Sequence, residues 1–477
     1  MTRLVIGPFN RVEGDLEVSL DVDEGRVQAA YVNSPLYRGF EEILQGKSPL
    51  DALVIVPRIC GICSVSQSAA SAKALRALMQ ITPPDNGSLA ECLVTACENL
   101  ADHLTHFYLF FMPDFARPVY QNKTWFKRVE ARFKAVSGSA VADVLPSRAS
   151  FMHIMGLMAG KWPHTLSLQP GGSARPMAQA DVLQLIAQLG SFRRFLERYL
   201  FGDQLEAVIA LDSVDALECW RAGRAGDLSL FLEVATDLKL DSLGRATDRF
   251  LSYGAYDTPN GRLFPAGVWD GGLQIFDPTA IIEDVSHAWM AGESCPPAQG
   301  ITQPQIDKPD AYTWCKAPRY SNLVVETGAL ARQVIAGHPL IRDIVAKRGG
   351  SVLARVLARL MELAVLVPQM ETWARALHPN DPWCHSVTRI ESGIAMGLTE
   401  AARGSLGHWI TAEHGRITNY QIIAPTTWNF SPRDVRGVPG ALEQALAGIL
   451  INAGESTPVA VQHVVRSFDP CMVCTVH

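Results

Sequence analysis

The hydrophobic and polar positions of the chain follow two different periods in different segments. Residues 15–32 alternate around Glu24-Gly25, and a period of two that is interrupted by a glycine turn predicts a β-hairpin. In longer segments the apolar residues recur at helical spacing, which predicts helices over residues 64–79, 88–111, 177–201 and 340–377. These lengths predict that helix dominates the fold.

Glycine- and proline-rich segments separate the predicted helices. Residues 252–277 and 417–432 predict short strands or irregular structure, and residues 295–304 predict a loop. The sequence therefore predicts an α+β fold that is predominantly helical, within a single large domain. In this prediction a small β-containing region over 1–57 precedes a mainly helical body over 58–477, which includes the C-terminal segment.

The composition excludes several classes of protein. Charged residues make up 19% of the 477 residues, below the ~25% of an average soluble domain, which excludes intrinsic disorder. A mean hydropathy of +0.09 favours a partner that covers apolar surface. The net charge is −6 and no basic stripe is visible, so the sequence predicts no nucleic-acid partner.

The expected cellular location follows from the N-terminal sequence, the apolar stretches and the cysteine content. Residues 1–8 lack the apolar segment that is typical of a signal peptide, and no apolar stretch reaches the ~18–20 residues of a membrane span. Ten cysteines in so long a chain are not a secreted disulfide framework. We therefore expect a cytoplasmic protein without a membrane span.

Two C-x-x-C pairs carry the candidate chemistry. Cys60 and Cys63 lie early in the chain, whereas Cys471 and Cys474 lie at its end. Four thiolates suit zinc, an iron–sulfur cluster, copper(I) or nickel, and a structural zinc site that ties the C-terminus to the body is one interpretation. A reversible disulfide at either pair is another. The spacing alone does not decide among them.

The residues around both pairs resemble a known family. The segments RICGICSVSQ at 58–67 and DPCMVCTVH at 469–477 are similar to the two signatures of nickel–iron hydrogenase large subunits, R-x-C-G-x-C-x-x-x-H and D-P-C-x-x-C-x-x-H. Further blocks that resemble the family follow in order at residues 11–14, 37–41, 102–108, 160–172, 317–320, 400–404 and 428–434. The resemblance covers almost the whole chain and implies the fold of that family.

The resemblance implies a nickel–iron centre that cleaves H2 into protons and electrons, with carbon monoxide and cyanide ligands on the iron. By position, Cys60 and Cys471 match the terminal nickel ligands, and Cys63 and Cys474 match the sulfurs that bridge to iron. Soft, electron-rich thiolates suit nickel. The chain has no further cysteine arrangement for iron–sulfur clusters, so an obligate small subunit that carries them is implied, in a heterodimer or a dimer of heterodimers.

Other site residues are implied by the same resemblance. Arg403 matches an arginine suspended over the metals, where its fixed charge polarises H2. Asp114 and Asp469 match acidic residues that surround and orient this arginine. Glu13 matches a proton-relay glutamate that receives its proton from the side of Cys471. Without the family context, these residues would be an ordinary ion-pair network and a solvated glutamate.

A second metal is implied near the C-terminus. Glu41 and His477 match ligands of a magnesium-like ion, with a backbone carbonyl around Ile422 as a third ligand. Oxygen ligands fit such a hard cation. The hydroxyl of Thr426 matches a family hydroxyl that hydrogen-bonds a cyanide ligand.

Several departures from the family pattern resemble the H2-sensing regulatory hydrogenases. Gln67 stands where most members have histidine, and unlike histidine it cannot change its charge near neutral pH. Ile62 and Phe110 stand where many members have the smaller Val and Leu at the inner end of a hydrophobic gas path, so they predict slower entry of oxygen. The sequence also ends at His477, whereas most members are made with a C-terminal extension that a protease removes after nickel insertion; this end fits the regulatory type, although a processed chain would end identically. The resemblance implies slow turnover, oxygen tolerance and signalling through a histidine kinase.

The leading hypothesis is therefore the large subunit of a regulatory, H2-sensing hydrogenase. An ordinary energy-conserving uptake hydrogenase is the alternative within the same family. A non-catalytic, zinc-tied scaffold protein is the alternative from another class, and metal analysis separates it from the first two.

Overall fold

The computed structural model describes residues 2–387, 389–452 and 454–477. Its strands, numbered in chain order, are β1 (Thr2–Ile6), β2 (Glu17–Asp23), β3 (Arg26–Asn33), β4 (Leu168–Gln169), β5 (Gly172–Ser173), β6 (Arg249–Ser252), β7 (Ala255–Thr258), β8 (Gly261–Phe264), β9 (Gly267–Asp270), β10 (Leu273–Gln274), β11 (Ile281–Asp284), β12 (Ala317–Tyr320), β13 (Gly393–Ala401), β14 (Gly404–Glu413) and β15 (Arg416–Ile423).

The α-helices, numbered in the same way, are α1 (Phe40–Leu44), α2 (Ala52–Ile55), α3 (Ser64–Met79), α4 (Asp85–Thr105), α5 (Phe126–Phe133), α6 (Ala140–Ala159), α7 (Gln179–Phe195), α8 (Leu205–Ile209), α9 (Val214–Arg221), α10 (Asp227–Asp237), α11 (Ala329–Ala336), α12 (Pro339–Arg348), α13 (Val352–Arg375), α14 (Pro425–Asn429), α15 (Ala441–Leu446), α16 (Val459–Ser467) and α17 (Met472–Thr475). The predicted α+β class with a helical majority is confirmed.

The predicted N-terminal hairpin is present as β2 and β3. Asp23 pairs with Arg26 across the Glu24-Gly25 turn, and β1 adds a third antiparallel strand in the order β1-β2-β3. The apolar positions of β2 point into the core, as the period of two predicts.

The predicted helices over 64–79, 88–111 and 177–201 are confirmed, and the prediction over 340–377 is corrected. Helix α4 continues into a wider turn over His106–Phe111, and α7 continues into another over Leu196–Phe201. Residues 340–377 form two helices, α12 and α13, with Gly349-Gly350 between them. Gly349 has a φ of 72°, a left-handed conformation that ends a helix and that glycine adopts without strain.

The prediction of a small β region near the N-terminus, with short strands or irregular structure at 252–277 and 417–432, is incomplete. Strands β13, β14 and β15 form a second long antiparallel sheet, and only β15 was anticipated by the β-like segment 417–432. Strand β14 shows no alternation of exposed and buried positions over Gly404–Ile410, because all of these residues are buried.

Helix α3 lies directly against β13. An added Cβ at Gly397 would lie 1.9 Å from the carbonyl oxygen of Ala70, so glycine is required for this close approach. The small alanine side chains of α3 serve the same purpose. This packing matters for the site because α3 begins right after Cys63 and β13 ends just before Arg403.

The two ends of the chain share one core. A single buried apolar cluster includes Ile6 and Val18 from the N-terminal strands and Val464 and Phe468 from α16 and its end. Among the helices in the described ranges, none combines the length and the apolar character that crossing a membrane would need.

Candidate metal centre

The four cysteines of the two C-x-x-C pairs meet in the interior. Cys60 follows a tight turn over Val56–Ile59, and Cys63 lies at the N-terminus of α3. Cys471 lies at the N-terminus of α17, and Cys474 lies within that short helix. Each pair is thus a turn that leads into a helix, which aims both sulfurs to the same side.

The sulfur positions fit one shared metal site. All four Sγ atoms lie within 4.8 Å of one another, and every one of these residues is buried. The distances are 3.0 Å for Cys63–Cys474, 3.5 Å for Cys60–Cys471 and 3.3 Å for Cys471–Cys474, well beyond the ~2.05 Å of a disulfide bond. Four free thiols at this spacing are a donor set for a soft metal.

Arg38 and Thr426 hold the two cysteine segments together. The guanidinium of Arg38 donates to the carbonyl of Ile59 over 2.5 Å and also to the carbonyl of Val473. One side chain therefore ties down the residue before Cys60 and the residue before Cys474. The hydroxyl of Thr426 accepts a hydrogen bond of 3.1 Å from the Cys471 N–H, which leaves its own proton to be donated elsewhere.

Glu13 is anchored to the C-terminal cysteine segment through its backbone. Its N–H donates to the carbonyl of Pro470 over 3.4 Å, and its carbonyl accepts from the N–H of Met472 over 2.7 Å. Gly14 has a φ of 80°, and a Cβ there would lie 3.0 Å from a methyl group of Val473.

The side chain of Glu13 has a raised pKa. Burial raises the pKa and the charge of Cys60 raises it further, whereas the charge of Arg403 lowers it.

Arg403 is buried beside the cysteines and is held by two carboxylates. It donates to Asp102 over 2.6 and 3.2 Å, to the Asp469 carboxylate over 3.1 Å and to the Asp469 carbonyl over 2.8 Å. Burial raises the pKa of Asp102 while Arg403 lowers it, and the charge of Asp469 raises it again. Two carboxylates therefore share one guanidinium in the interior.

The turn that carries Arg403 is itself fixed by a buried arginine. Ala401 pairs with Gly404, so Arg403 lies in the tight turn between β13 and β14. Arg332 donates to the carbonyls of Ala401 and Ala402 over 2.8 and 3.2 Å. These contacts thus fix the position of the Arg403 backbone independently of the contact between its side chain and Asp102.

The expected contact between Asp114 and Arg403 is corrected by the structure. Asp114 is fully buried but pairs with Arg466 over 2.6 Å and with Arg11, while His463 lies 3.5 Å away. Asp469 does contact Arg403, and the second partner is Asp102. The sequence motif identified an important aspartate, but its partners are the cations that lie on α16 and before β2.

Asp114→Asn is expected to lower the free energy of unfolding by about 3–5 kcal/mol at neutral pH, because it leaves buried Arg466 without its charge partner. Burial would raise the pKa of Asp114, but His463, Arg466 and Arg11 hold it well below its usual range. The stabilisation is therefore present above the unfolded carboxyl pKa of ~3.9 and is lost as the pH falls through the lower folded value.

Urea unfolding of the unmodified protein and of Asp114→Asn, at pH 7 and at acidic pH, measures this difference in the free energy of unfolding. Asp307→Asn, at an exposed turn position, is the control and is expected to leave the midpoint unchanged. An Asp114→Asn midpoint equal to that of the unmodified protein would show that the pair contributes nothing.

Comparison with known proteins agrees with this donor set. The profile of the family described as nickel-dependent hydrogenase matches residues 38–140 and 115–477. The chain belongs to this family. It is therefore an oxidoreductase of the hydrogenase class, and the resemblance read from its sequence is confirmed at that level.

The similar proteins and solved structures match this chain over its whole length. It is 27% identical to the periplasmic [NiFeSe] hydrogenase large subunit of Desulfomicrobium baculatum over all of this chain and 95% of that one. It is 28% identical to the uptake hydrogenase large subunit of Rhodobacter capsulatus, with the same shares covered. The Ni-Fe-Se hydrogenase of D. vulgaris Hildenborough in the reduced state matches with a TM-score of 0.86, 28% identity and full coverage of both chains.

In this hydrogenase, Gln67 lies in the first turns of α3 with its amide beside the cysteines. Its Nε2 lies 3.8 Å from the sulfur of Cys474, and its Oε1 lies 2.8 Å from Nε2 of His408. Gln67 is 1% exposed, so no solvent competes for these contacts.

The candidate magnesium ligands also converge. His477 Nε2 lies 3.1 Å from Glu41 Oε1, and the Ile422 N–H donates to the same oxygen over 2.7 Å. The carbonyl of Ile422 faces the same side, because N–H and C=O of one strand residue point together. Burial raises the pKa of Glu41, but Lys316 and His477 lower it to about 2, so the carboxylate is charged. These groups fit a hard cation.

The two candidate gas-path residues lie in different surroundings. Ile62 is half-buried and packs against the apolar cluster that contains all four cysteines. Phe110 is half-buried in the wider turn that follows α4, and its carbonyl accepts a hydrogen bond of 3.2 Å from Arg11.

Sequence reasoning missed several residues that build the site. Asp102 lies in the segment 102–108, which resembles the family. Its place on an apolar helix, next to His103, indicated that its carboxylate would be buried and would need a cationic partner. Lys316 lies 3.6 Å from Glu41, and Thr302 donates its hydroxyl proton to the same carboxylate. Neither had a motif of its own.

Proposed function

We propose that this chain is the large subunit of an enzyme that cleaves H2 heterolytically and passes its electrons to an iron–sulfur small subunit. The observation that carries the proposal is the convergence of four buried cysteine sulfurs, from both ends of the chain, within 4.8 Å. A nickel–iron centre bound there would supply the Lewis acid that takes up the hydride.

The chain's own residues supply the fixed charge and the proton acceptor. Arg403 holds a positive charge beside the cysteines, because two buried carboxylates and a backbone carbonyl use its donors. Glu13 offers a carboxylate whose pKa is raised by burial, which suits a group that takes up and releases a proton. Its backbone bonds to Pro470 and Met472 keep it next to Cys471.

Two observations support a separate small subunit. In the described part of the chain, the four cysteines are the one group of His, Cys, Asp or Glu side chains that could hold a metal through three or more ligands. Electrons therefore need cofactors on another chain. Exposed apolar residues precede the first cysteine pair and offer surface for such a partner: Leu36, Ile43, Leu50 and Val54.

Metal analysis and infrared spectroscopy of the chain purified with its partner test this proposal. Nickel and iron, together with bands of metal-bound carbon monoxide and cyanide, are expected. Zinc without nickel would overturn the proposal and favour the scaffold alternative. Cys63→Ser is the matched variant, and it is expected to lose these bands because serine does not replace a bridging thiolate.

We further propose the regulatory, H2-sensing type, with a histidine kinase as its signalling partner and the cytoplasm as its location. The support is Gln67, which places a group of constant charge beside Cys474 where a histidine would titrate. The ordinary uptake type is the alternative, and the name of the Rhodobacter capsulatus relative favours it. H2-dependent change in kinase autophosphorylation would support the regulatory type, and its absence with a cognate kinase would favour uptake.

Ile62→Val combined with Phe110→Leu is expected to make H2 oxidation more sensitive to oxygen, because smaller side chains widen an apolar path to the cysteines. The half-life of activity under air measures the effect. Ile55→Val with Phe40→Leu is the matched control, since both residues, like Ile62, pack partly buried against the cluster that contains the cysteines. Equal half-lives for the two double variants would contradict the gas-path role.

We also propose that Glu41, His477 and the Ile422 carbonyl bind magnesium, and that Thr426 donates its hydroxyl proton to a cyanide ligand. The magnesium proposal is supported by two contacts to the same oxygen of Glu41, one from the N–H of Ile422 and one from the ring of His477. Residues 1–57 and 58–477 are proposed as regions of one domain, because the N-terminal strands and α16 pack in one cluster.

A further inference from the structure

The amide of Gln67 is held from both of its ends. Its NH2 group faces the sulfur of Cys474 at 3.8 Å, which is within reach for a hydrogen bond to sulfur. Its carbonyl oxygen faces Nε2 of His408 at 2.8 Å. The opposite orientation would place the carbonyl oxygen against a thiolate, where two negative groups repel. The contact with His408 therefore decides which end of the amide meets the sulfur.

His408 is oriented in turn by Tyr420. The Tyr420 hydroxyl lies 2.8 Å from His408 Nδ1, and both residues are at most 1% exposed. Burial lowers the pKa of His408 to about 3, so the ring is neutral and carries one N–H. When the hydroxyl donates to Nδ1, the N–H must lie on Nε2 and must point at the carbonyl of Gln67.

The three residues come from three separate elements. Gln67 lies on α3, His408 on β14 and Tyr420 on β15. The chain Tyr420–His408–Gln67–Cys474 thus runs from the edge strand of the sheet to the sulfur. Such hydrogen bonds to ligand sulfurs tune the electron density that the sulfurs give to a metal.

We propose that His408 and Tyr420 are positioning residues that fix the tautomer of His408 and thereby hold the amide N–H of Gln67 on the sulfur of Cys474. This inference rests on the proposed function. It adds that the electron density of a metal-bound sulfur is influenced by a tyrosine that two hydrogen-bonded residues, His408 and Gln67, separate from it.

Tyr420→Phe tests the inference by removing one hydroxyl. Without it, the His408 proton can move to Nδ1, and the Gln67 amide loses the contact that orients it. The sulfur of Cys474 then loses an N–H donor, gives more electron density to iron, and increases back-donation into the carbon monoxide ligand. The infrared band of carbon monoxide is therefore expected at lower wavenumber than in the unmodified protein.

Tyr108→Phe is the matched control. Tyr108 is buried and donates its hydroxyl proton over 2.7 Å to Asp227, so the variant also loses one buried donor, but in another part of the fold. Its carbon monoxide band is expected to stay in place. A shift in both variants would show a general effect of buried tyrosine loss and would overturn the inference.

A double-mutant cycle separates orientation from general packing. Gln67→Leu removes the N–H donor outright and is expected to shift the band further than Tyr420→Phe. Combining the two should add nothing to Gln67→Leu, because the tyrosine acts only through the amide. Additive shifts, or an unmoved band in Tyr420→Phe, would overturn the inference.

His408 provides a second route if Tyr420→Phe does not accumulate as folded protein. His408→Leu removes the donor to Gln67 and is expected to shift the band in the same direction. His408→Gln keeps a donor and an acceptor and is expected to restore it. If the unmodified protein shows no carbon monoxide band, the proposed function fails, whereas bands that ignore these variants refute the inference alone.

Discussion

Replacing Glu13 with glutamine is expected to suppress hydrogen–deuterium exchange by about 10²–10⁴-fold, the contribution of a positioned proton acceptor. The glutamine keeps the shape of the side chain but cannot take up a proton. Nickel and iron content should stay unchanged, because none of the four sulfurs is altered. Mass spectrometry of HD and H2 formed from D2 in water measures the exchange.

The backbone of Glu13 gives the reason to expect a specific effect. Its hydrogen bonds to Pro470 and Met472 are made by main-chain atoms, so Glu13→Gln preserves the attachment of the N-terminal segment to Cys471. The variant changes only the carboxylate, whose pKa burial raises toward the range where a relay group works. Loss of exchange in a fully metal-loaded variant would therefore report the proton path.

Glu17→Gln is the control for this prediction. Glu17 is half-buried on β2, four residues further along the same segment, and does not bond to the cysteine segment. It is expected to exchange as the unmodified protein does. Full exchange in Glu13→Gln would refute the relay role, and the proton would then have to leave through another group.

Elements with one solvated face, or with a start marked by a motif, could be predicted from the sequence. The hairpin of β2 and β3 shows a period of two because one of its faces is solvated, and α3 follows the end of a motif that fixes its first residue. Strand β14 could not be predicted, because it is buried over Gly404–Ile410 and carries no alternation. The break between α12 and α13 at Gly349-Gly350 could not be predicted, because the segments on both sides of it have the apolar spacing of a helix.

The metal ligands could be predicted because their spacing is local, whereas their supporting partners could not. Each C-x-x-C pair is a short motif whose function depends on neighbours in sequence. Asp102 and Arg403 are 301 residues apart, and only the packing of α4 against the β13–β14 turn brings them together. Sequence position could not distinguish Asp102 from Asp114, since both are buried aspartates in the same region.

Arg403→Lys is expected to lower the rate of H2 oxidation by about 10²–10³-fold, the cost of removing one preorganised electrostatic group. Arginine uses Nη1 and Nη2 on Asp102, Nη2 on the carboxylate of Asp469 and Nε on its carbonyl. A lysine ammonium keeps the charge but cannot reach all of these acceptors in one plane. The charge would therefore lie in a different place relative to the cysteines.

Asp102→Asn separates the position of the charge from its presence. Asparagine keeps an oxygen acceptor for Arg403 but removes one of the two negative charges that share the guanidinium, so a smaller loss than in Arg403→Lys is expected. Steady-state H2 oxidation, with nickel content measured on the same samples, compares the variants. Equal rates in Arg403→Lys and the unmodified protein would mean that the fixed guanidinium is structural, because a displaced charge would then leave the reaction untouched.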